Sequence, residues 1–242
     1  MRIIPAVNYN EMSVRAAELL VGQVALKPDA VLGLATGSTP VGAYQRMAEA
    51  YRAGRVSFAD CRTVNLDEYV GLGPGDAQSY HTFMWENLFH HIDVRPEHTN
   101  LPNGKNRDAA AECARYDSLL SALGPIDLQV LGIGHNGHIA FNEPSDHFVA
   151  DTHMVELNEQ TIEANQRFFE RREDVPTTAY TMGVGPILHA RRVLLLVSGE
   201  AKAEILSRSL TGPITPEVPA SILQLHPDLI VIADDAARKC LV

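Results

Sequence analysis

The sequence predicts an α/β fold: a three-layer sandwich in which a mostly parallel sheet lies between helices. Short β-branched runs alternate with segments of helical period along the chain. Several runs are apolar at consecutive positions, the pattern of strands covered by helices on both faces. No internal repeat, low-complexity tract or long Gly/Ser linker breaks the alternation, so one domain over residues 1–242 is expected.

The candidate strands are residues 30–35 (AVLGLA), 61–66 (CRTVNL), 126–133 (IDLQVLGI), 193–198 (VLLLVS) and 229–233 (LIVIA), with weaker candidates at 152–157 and 178–184. Between them, Val14, Ala17, Val21 and Val24 fall on one helical face, and Cys113, Tyr116, Leu120 and Leu123 repeat that spacing. A third helix is expected to open at Thr39-Pro40, with Thr39 as N-cap and Pro40 as first helical residue. Residues 200–210 read as a fourth, and GLGPGDAQ at 71–78 as a mobile loop.

Composition narrows the function. Thirty acidic against twenty basic side chains give a net charge of −10, which argues against nucleic-acid or anionic-membrane partners. A local basic site for a phosphorylated substrate remains compatible with it. Cys61, Cys113 and Cys240 are widely spaced and form no C-x-x-C pair, so a reducing compartment is expected. MRIIPAVNYNEM has no apolar signal core, and no run approaches the roughly 18 apolar residues of a membrane span. A soluble, cytoplasmic protein is the expectation.

Parallel sheets bind ligands beyond the carboxyl ends of their strands, so the junctions there come first. After AVLGLA, Thr36-Gly37-Ser38-Thr39-Pro40 leads into a helix. Hydroxyls and free N–H groups of a first helical turn make an anion site, although a well-capped helix without ligand would read the same. Arg167 and Lys202 could add fixed positive charge, or be solvated surface cations. After CRTVNL come Asp67 and Glu68. An acid there suits a general base, with Asp67 nearest the strand end, while a helix or turn cap is the alternative.

The third junction is Gly132-Ile133-Gly134-His135-Asn136-Gly137-His138, continuing to Asn142-Glu143-Pro144. Its glycine spacing matches the dinucleotide fingerprint, and Glu156 follows at about the right distance. No uninterrupted helical period follows Gly137, so NAD binding is not expected. His135, His138, His147 and His153 lack the His-Glu-x-x-His pattern of a zinc hydrolase, and metal catalysis is not expected either. His138 with Glu143 suits proton shuttling, because a carboxylate fixes the imidazole tautomer and raises its basicity. No G-x-S-x-G nucleophile elbow is present.

The runs LGLATGSTPVGAY, NLDEYVGL, SYHTFMWENLF, LGIGHNGHIAFNEP, ANQRFF, TMGVGPIL and SILQLHPDLIVI, in that order, resemble the glucosamine-6-phosphate deaminase family over nearly the whole chain. The resemblance implies a Rossmann-like sheet and conversion of glucosamine 6-phosphate and water to fructose 6-phosphate and ammonia, without metal or organic cofactor. It implies that Asp67 moves a proton between C2 and C1 through an enolamine-like intermediate. It also implies that His138 opens the pyranose ring with Glu143 in support, and that Gly37, Ser38, Thr39, Arg167 and Lys202 hold the phosphate.

This sequence has Asn136 where some members carry Asp, which removes a charge but keeps hydrogen bonding. Longer members are activated by N-acetylglucosamine 6-phosphate through basic residues after FNEP and a C-terminal extension. Here SDHFVADTHMVEL has no Lys or Arg and the chain stops at Val242, so no such activation is expected. The family includes monomers and hexamers, and a homo-oligomer stays open. The alternatives are a 6-phosphogluconolactonase-type hydrolase, which would not need the Asp67 shuttle, and a non-catalytic sugar-phosphate sensor.

Overall fold

The computed structural model describes residues 1–166, 169 and 171–241. Its strands are β1 (Arg2–Ala6), β2 (Val31–Leu34), β3 (Arg62–Asn65), β4 (Asp67–Tyr69), β5 (Thr99–Asn100), β6 (Leu128–Leu131), β7 (His153–Glu156), β8 (Thr178–Thr181), β9 (Val193–Val197) and β10 (Leu229–Asp234). The α-helices are α1 (Tyr9–Leu26), α2 (Ser38–Arg52), α3 (Tyr80–Asn87), α4 (Ala109–Leu123), α5 (Glu159–Asn165), α6 (Val184–His189) and α7 (Ala203–Thr211).

Seven strands form one sheet in the order β1-β10-β9-β6-β2-β3-β5, with every neighbouring pair parallel. Every residue of β2, β6, β9 and β10 is buried, which explains their unbroken apolar runs. Helices flank this sheet, giving the three-layer α/β architecture read from the sequence. From β2 the chain builds outward through β3 and β5, returns to the other side of β2 as β6, and continues to β9 and β10. The loops after β2 and β6 therefore diverge, and the crevice between them is where such sheets bind ligands.

The two weaker strand candidates do not join this sheet. They are β7 and β8, which pair antiparallel with each other, and β8 pairs with β4. A satellite core of Tyr69, Phe141, Leu157 and Ala179, backed by Tyr80 and Phe169, sits against this small sheet.

Several local expectations need correction. Gly37, at φ 86°, is the N-cap of α2, and the helix opens at Ser38 rather than after Thr39. Left-handed backbone suits glycine, and it turns the chain before either hydroxyl residue can cap. On α1 the buried positions are Met12, Ser13, Ala16, Ala17, Leu20 and Val24, while Val14 and Val21 are only half-buried. The helix packs on both β10 and α2, and Gly42 of α2 lies so close that a Cβ would meet Ser13 Oγ at 2.3 Å. On α4, Tyr116 and Leu120 are buried but Cys113 and Leu123 only partly so. Glu112 takes a buried place there, with its carboxylate held by Arg115 and by the Asn103 N–H.

The 71–78 loop is tied down. Gly71 N–H donates to the Gly104 carbonyl at 2.7 Å, and Lys105 pairs with Asp76 at 2.6 Å. Strands β1, β4 and β5 were not expected, since two are three residues or fewer and β1 is an edge strand interrupted by Pro5. Helices α3, α5 and α6 are short and also had no clear apolar period.

Candidate active site

The loops leaving β2, β3, β6 and β9 enclose one cavity of about 460 Å³, a volume suited to a small ligand. Thr36, Gly37, Ser38 and Thr39 form one wall. No side chain caps α2, so the N–H groups of its first turn have no side-chain acceptor at its N-cap. Fifteen residues of helix dipole stand behind this turn, which favours an anion. Lys202 lines the same cavity, and its Nζ donates to the Ile133 carbonyl at 2.8 Å. That bond ties the cation to the end of the β6 loop. Arg167 lies outside the described residues.

Where the chain leaves the central sheet for the small one, Asp67 and Glu68 point to opposite sides. The two acids meet different surroundings. Glu68 supports the start of α3, whose N-cap is Ser79: its oxygens accept the N–H groups of Tyr69, Tyr80 and His81, all at 2.9 Å. Asp67 lines the cavity although it is only 6% exposed. Among the described residues no donor reaches its carboxylate. Burial, with the adjacent Glu68 adding like charge, pushes Asp67 up to about 8. A carboxyl in that range can both take and return a proton near neutrality. Tyr80 completes this side, its hydroxyl 3.1 Å from that of Tyr69 and its ring stacked on Phe141.

The β6 loop delivers the second acid–base group. The Gly134 N–H donates to the His138 carbonyl at 2.9 Å, closing a tight turn. A Cβ at Gly134 would lie 2.3–2.4 Å from the His138 ring, so the imidazole packs directly on the backbone. At Gly137, with φ 89°, a Cβ would come within 2.9 Å of Val218 Cγ1 and 3.1 Å of Ile205 Cδ1. The turn beyond contains Ala140 at φ 51°, a strained value for a non-glycine residue. Asn142 holds it, donating to the carbonyls of Ile139 and Met182 at 3.0 and 2.8 Å.

Glu143 then reaches back under the ring, with Oε2 3.6 Å from His138 Nδ1. This is an ion-pair distance, too long for a hydrogen bond, and Nδ1 has no other partner among the described residues. A carboxylate at this nitrogen favours the tautomer protonated there and leaves Nε2 as the base. Asn136 links the two groups, accepting the His138 N–H at 3.1 Å and donating to Glu143 Oε2 at 2.7 Å. Burial pushes Glu143 up, but His138, Thr161 and Asn136 outweigh it and hold the carboxyl below its usual value. Asn136 thus does what an aspartate could not, because a carboxylate has no proton to donate.

The fingerprint glycines do not form a dinucleotide cradle, because Gly137 is followed by a turn rather than a helix. Among the described residues no three His, Cys, Asp or Glu side chains converge to hold a metal ion.

Residues 8–231 match the family described as glucosamine-6-phosphate isomerases/6-phosphogluconolactonase. The chain belongs to that family. It is 55% identical to glucosamine-6-phosphate deaminase of Lachnoclostridium phytofermentans over 96% of this chain and 98% of the relative. A solved structure of a monomeric glucosamine-6-phosphate deaminase is 46% identical and superposes with a TM-score of 0.97, covering 99% of this chain and all of the other. A 6-phosphogluconolactonase from Thermotoga maritima superposes at 0.75 with 18% identity, over 97% and 99% of the two chains, a likeness of fold alone.

Within this family's fold, Asp67, Asn136, His138, Glu143, Gly37, Ser38, Thr39 and Lys202 all come together at the one cavity or directly behind it. Sequence reasoning did not single out Tyr80, Ser198, Asn158 or Thr161. Tyr80, Ser198 and Thr161 also line the cavity, and Asn158 and Thr161 contact Glu143. Asn158-x-x-Thr161 does carry a readable helix-start signal, since Asn158 caps α5 by accepting the Thr161 N–H at 2.9 Å.

Proposed function

We propose that this chain is a glucosamine-6-phosphate deaminase, converting glucosamine 6-phosphate and water to fructose 6-phosphate and ammonia. The observation that carries the reading is the pairing of two unlike acid–base centres in one cavity: Asp67 without a donor, and His138 backed by an ionised Glu143. An aldose–ketose isomerisation that begins from a closed ring needs two such centres. The deaminase relatives support the substrate.

The phosphate binds at Gly37, Ser38 and Thr39 with Lys202, and Arg167 joins them. This anchors the chain end remote from the chemistry and aligns C1 and C2. His138 takes the anomeric hydroxyl proton and returns a proton to the ring oxygen, which opens the pyranose. Asp67 removes the C2 proton as the substrate's 2-ammonium group protonates O1, giving the enolamine, and then delivers its proton to C1, leaving an iminium at C2. Water adds to that carbon, and ammonia departs as the ketone forms. Every step is a proton transfer or a hydration, so the chemistry calls for no redox or Lewis-acid cofactor. All the proposed groups come from one chain, so we take residues 1–242 as one catalytic domain that needs no second copy. A phosphorylated substrate does not cross membranes unaided, and we place the enzyme in the cytoplasm.

The decisive experiment follows ammonia and fructose 6-phosphate from glucosamine 6-phosphate, with chelator present and no added metal. Equal yields are expected. Binding without release would favour a sensor, and hydrolysis of 6-phosphogluconolactone instead would favour the lactonase reading.

A further inference from the structure

Glu143 receives more than the acid–base pair requires. Besides Asn136, two donors come from the start of α5: Asn158 Nδ2 reaches Oε2 at 2.6 Å and Thr161 Oγ1 reaches Oε1 at 2.5 Å. All three donors are neutral and none is needed to satisfy a protonated acid. The two amides can only donate to Oε2 and the Thr161 hydroxyl can donate to Oε1, a set that favours the ionised carboxyl. Both α5 residues are already committed to helix geometry, since the Asn158 oxygen accepts the Thr161 N–H. The same turn that starts the helix therefore also aims two donors at the carboxylate. Further along the same segment, Phe169 packs edge-on against Tyr69 at 6.0 Å, and Tyr69 belongs to the strand that begins with Asp67. The start of α5 and Phe169 thus lie beside both acid–base centres.

We propose that Asn158 and Thr161 are positioning residues for His138, fixing Glu143 as an anion beneath the imidazole so that docking of the first turn of α5 makes the ring-opening base competent. The catalytic part of this inference rests on the deaminase reading; the clamp itself does not. His138 is the titratable group that faces Glu143. The α5 acids Glu159 and Glu163 are 61% and 59% exposed and pair with Arg172 instead. A carboxylate that drifts by about 1 Å misplaces the imidazole, and errors of that size cost about 10²-fold in rate.

The test uses the full chain and three variants. Thr161→Val keeps the shape and removes the hydroxyl, and Thr161→Ser restores it. Asn158→Asp keeps the capping oxygen of α5 but loses the donor to Glu143. With glucosamine 6-phosphate, Thr161→Val and Asn158→Asp are expected to lower kcat by about 10–100-fold at near-constant KM, with Thr161→Ser close to wild type. Affinity for an open-chain 2-amino-hexitol 6-phosphate should stay unchanged, since it bypasses ring opening. A second readout is the carbon-13 titration of the Glu143 carboxyl, expected to move to higher pH in Thr161→Val and to return in Thr161→Ser. Unchanged kcat, an unmoved Glu143 titration, or a parallel loss of open-chain affinity would overturn the proposal. Wild-type protein that releases no ammonia would sink the deaminase reading instead, while the carboxyl titration would still judge the clamp.

Discussion

Asp67, buried in the wall of the cavity, and Glu143, half-buried behind it, are both desolvated carboxyls, yet their surroundings drive them in opposite directions. Asp67 stands at the mouth of β4 with no donor among the described residues and Glu68 beside it, and burial raises it to about 8. Glu143, in the loop after β6, is also desolvated, but Asn136, Asn158, Thr161 and His138 surround it and its proton is held less tightly than usual. Burial alone makes a proton carrier; burial with donors makes a fixed anion. In the reaction proposed above, the two regions divide the work of isomerisation and ring opening.

The strongest way to break this contrast is Asp67→Asn. It should cut turnover by about 10²–10⁴-fold and abolish exchange of the C2 proton with solvent, while sugar-phosphate binding persists. Exchange at the wild-type rate would remove Asp67 from its role. In the wild type, kcat/KM should climb with pH as Asp67 ionises, through about 8 in the free enzyme.

The same variant sharpens the energetic side. The folded-state pKa of Asp67 lies above that of an unfolded aspartate, so the folded protein holds this proton more tightly. That contribution is fully present below about pH 4 and is lost as pH rises through about 8. Asp67→Asn, which never ionises, should therefore match wild type in acid and be the more stable protein at pH 8–9. Denaturant midpoints at the two pH values measure it; equal midpoints at both would mean Asp67 titrates normally.

A smaller effect is expected on the other side. Gly134→Ala drives a methyl group into the His138 ring and should lower kcat by about 10²-fold, with the C2 exchange of an open-chain substrate less affected. Lys202→Met should chiefly raise KM, by about tenfold, because one charge-assisted contact to phosphate is lost. The smallest effect is none: N-acetylglucosamine 6-phosphate should leave a hyperbolic rate curve unchanged. A sigmoidal curve that the ligand makes hyperbolic would contradict this.

By itself the sequence determined the layered α/β architecture, because consecutive apolar runs can be satisfied only where both faces of a sheet are covered. It also pointed to the junctions after β2, β3 and β6, since backbone polarity and chain direction place ligands there whatever the side chains are. The motif resemblance named the residues. What it could not decide was which neighbour each polar group would meet. Asp67 and Glu68 are adjacent acids in sequence, and only the step from β3 into the small sheet sends one to the cavity and the other to the α3 N-terminus. The N-cap of α2 went to Gly37 because a left-handed turn, invisible in the hydroxyl pattern, comes one residue before Ser38. Asn158 and Thr161 are fifteen and eighteen residues from Glu143, and nothing local marks them as its partners. Local propensity and period act over a few residues; the protonation state of a buried carboxyl depends on donors brought in from distant segments, and only the tertiary structure supplies those.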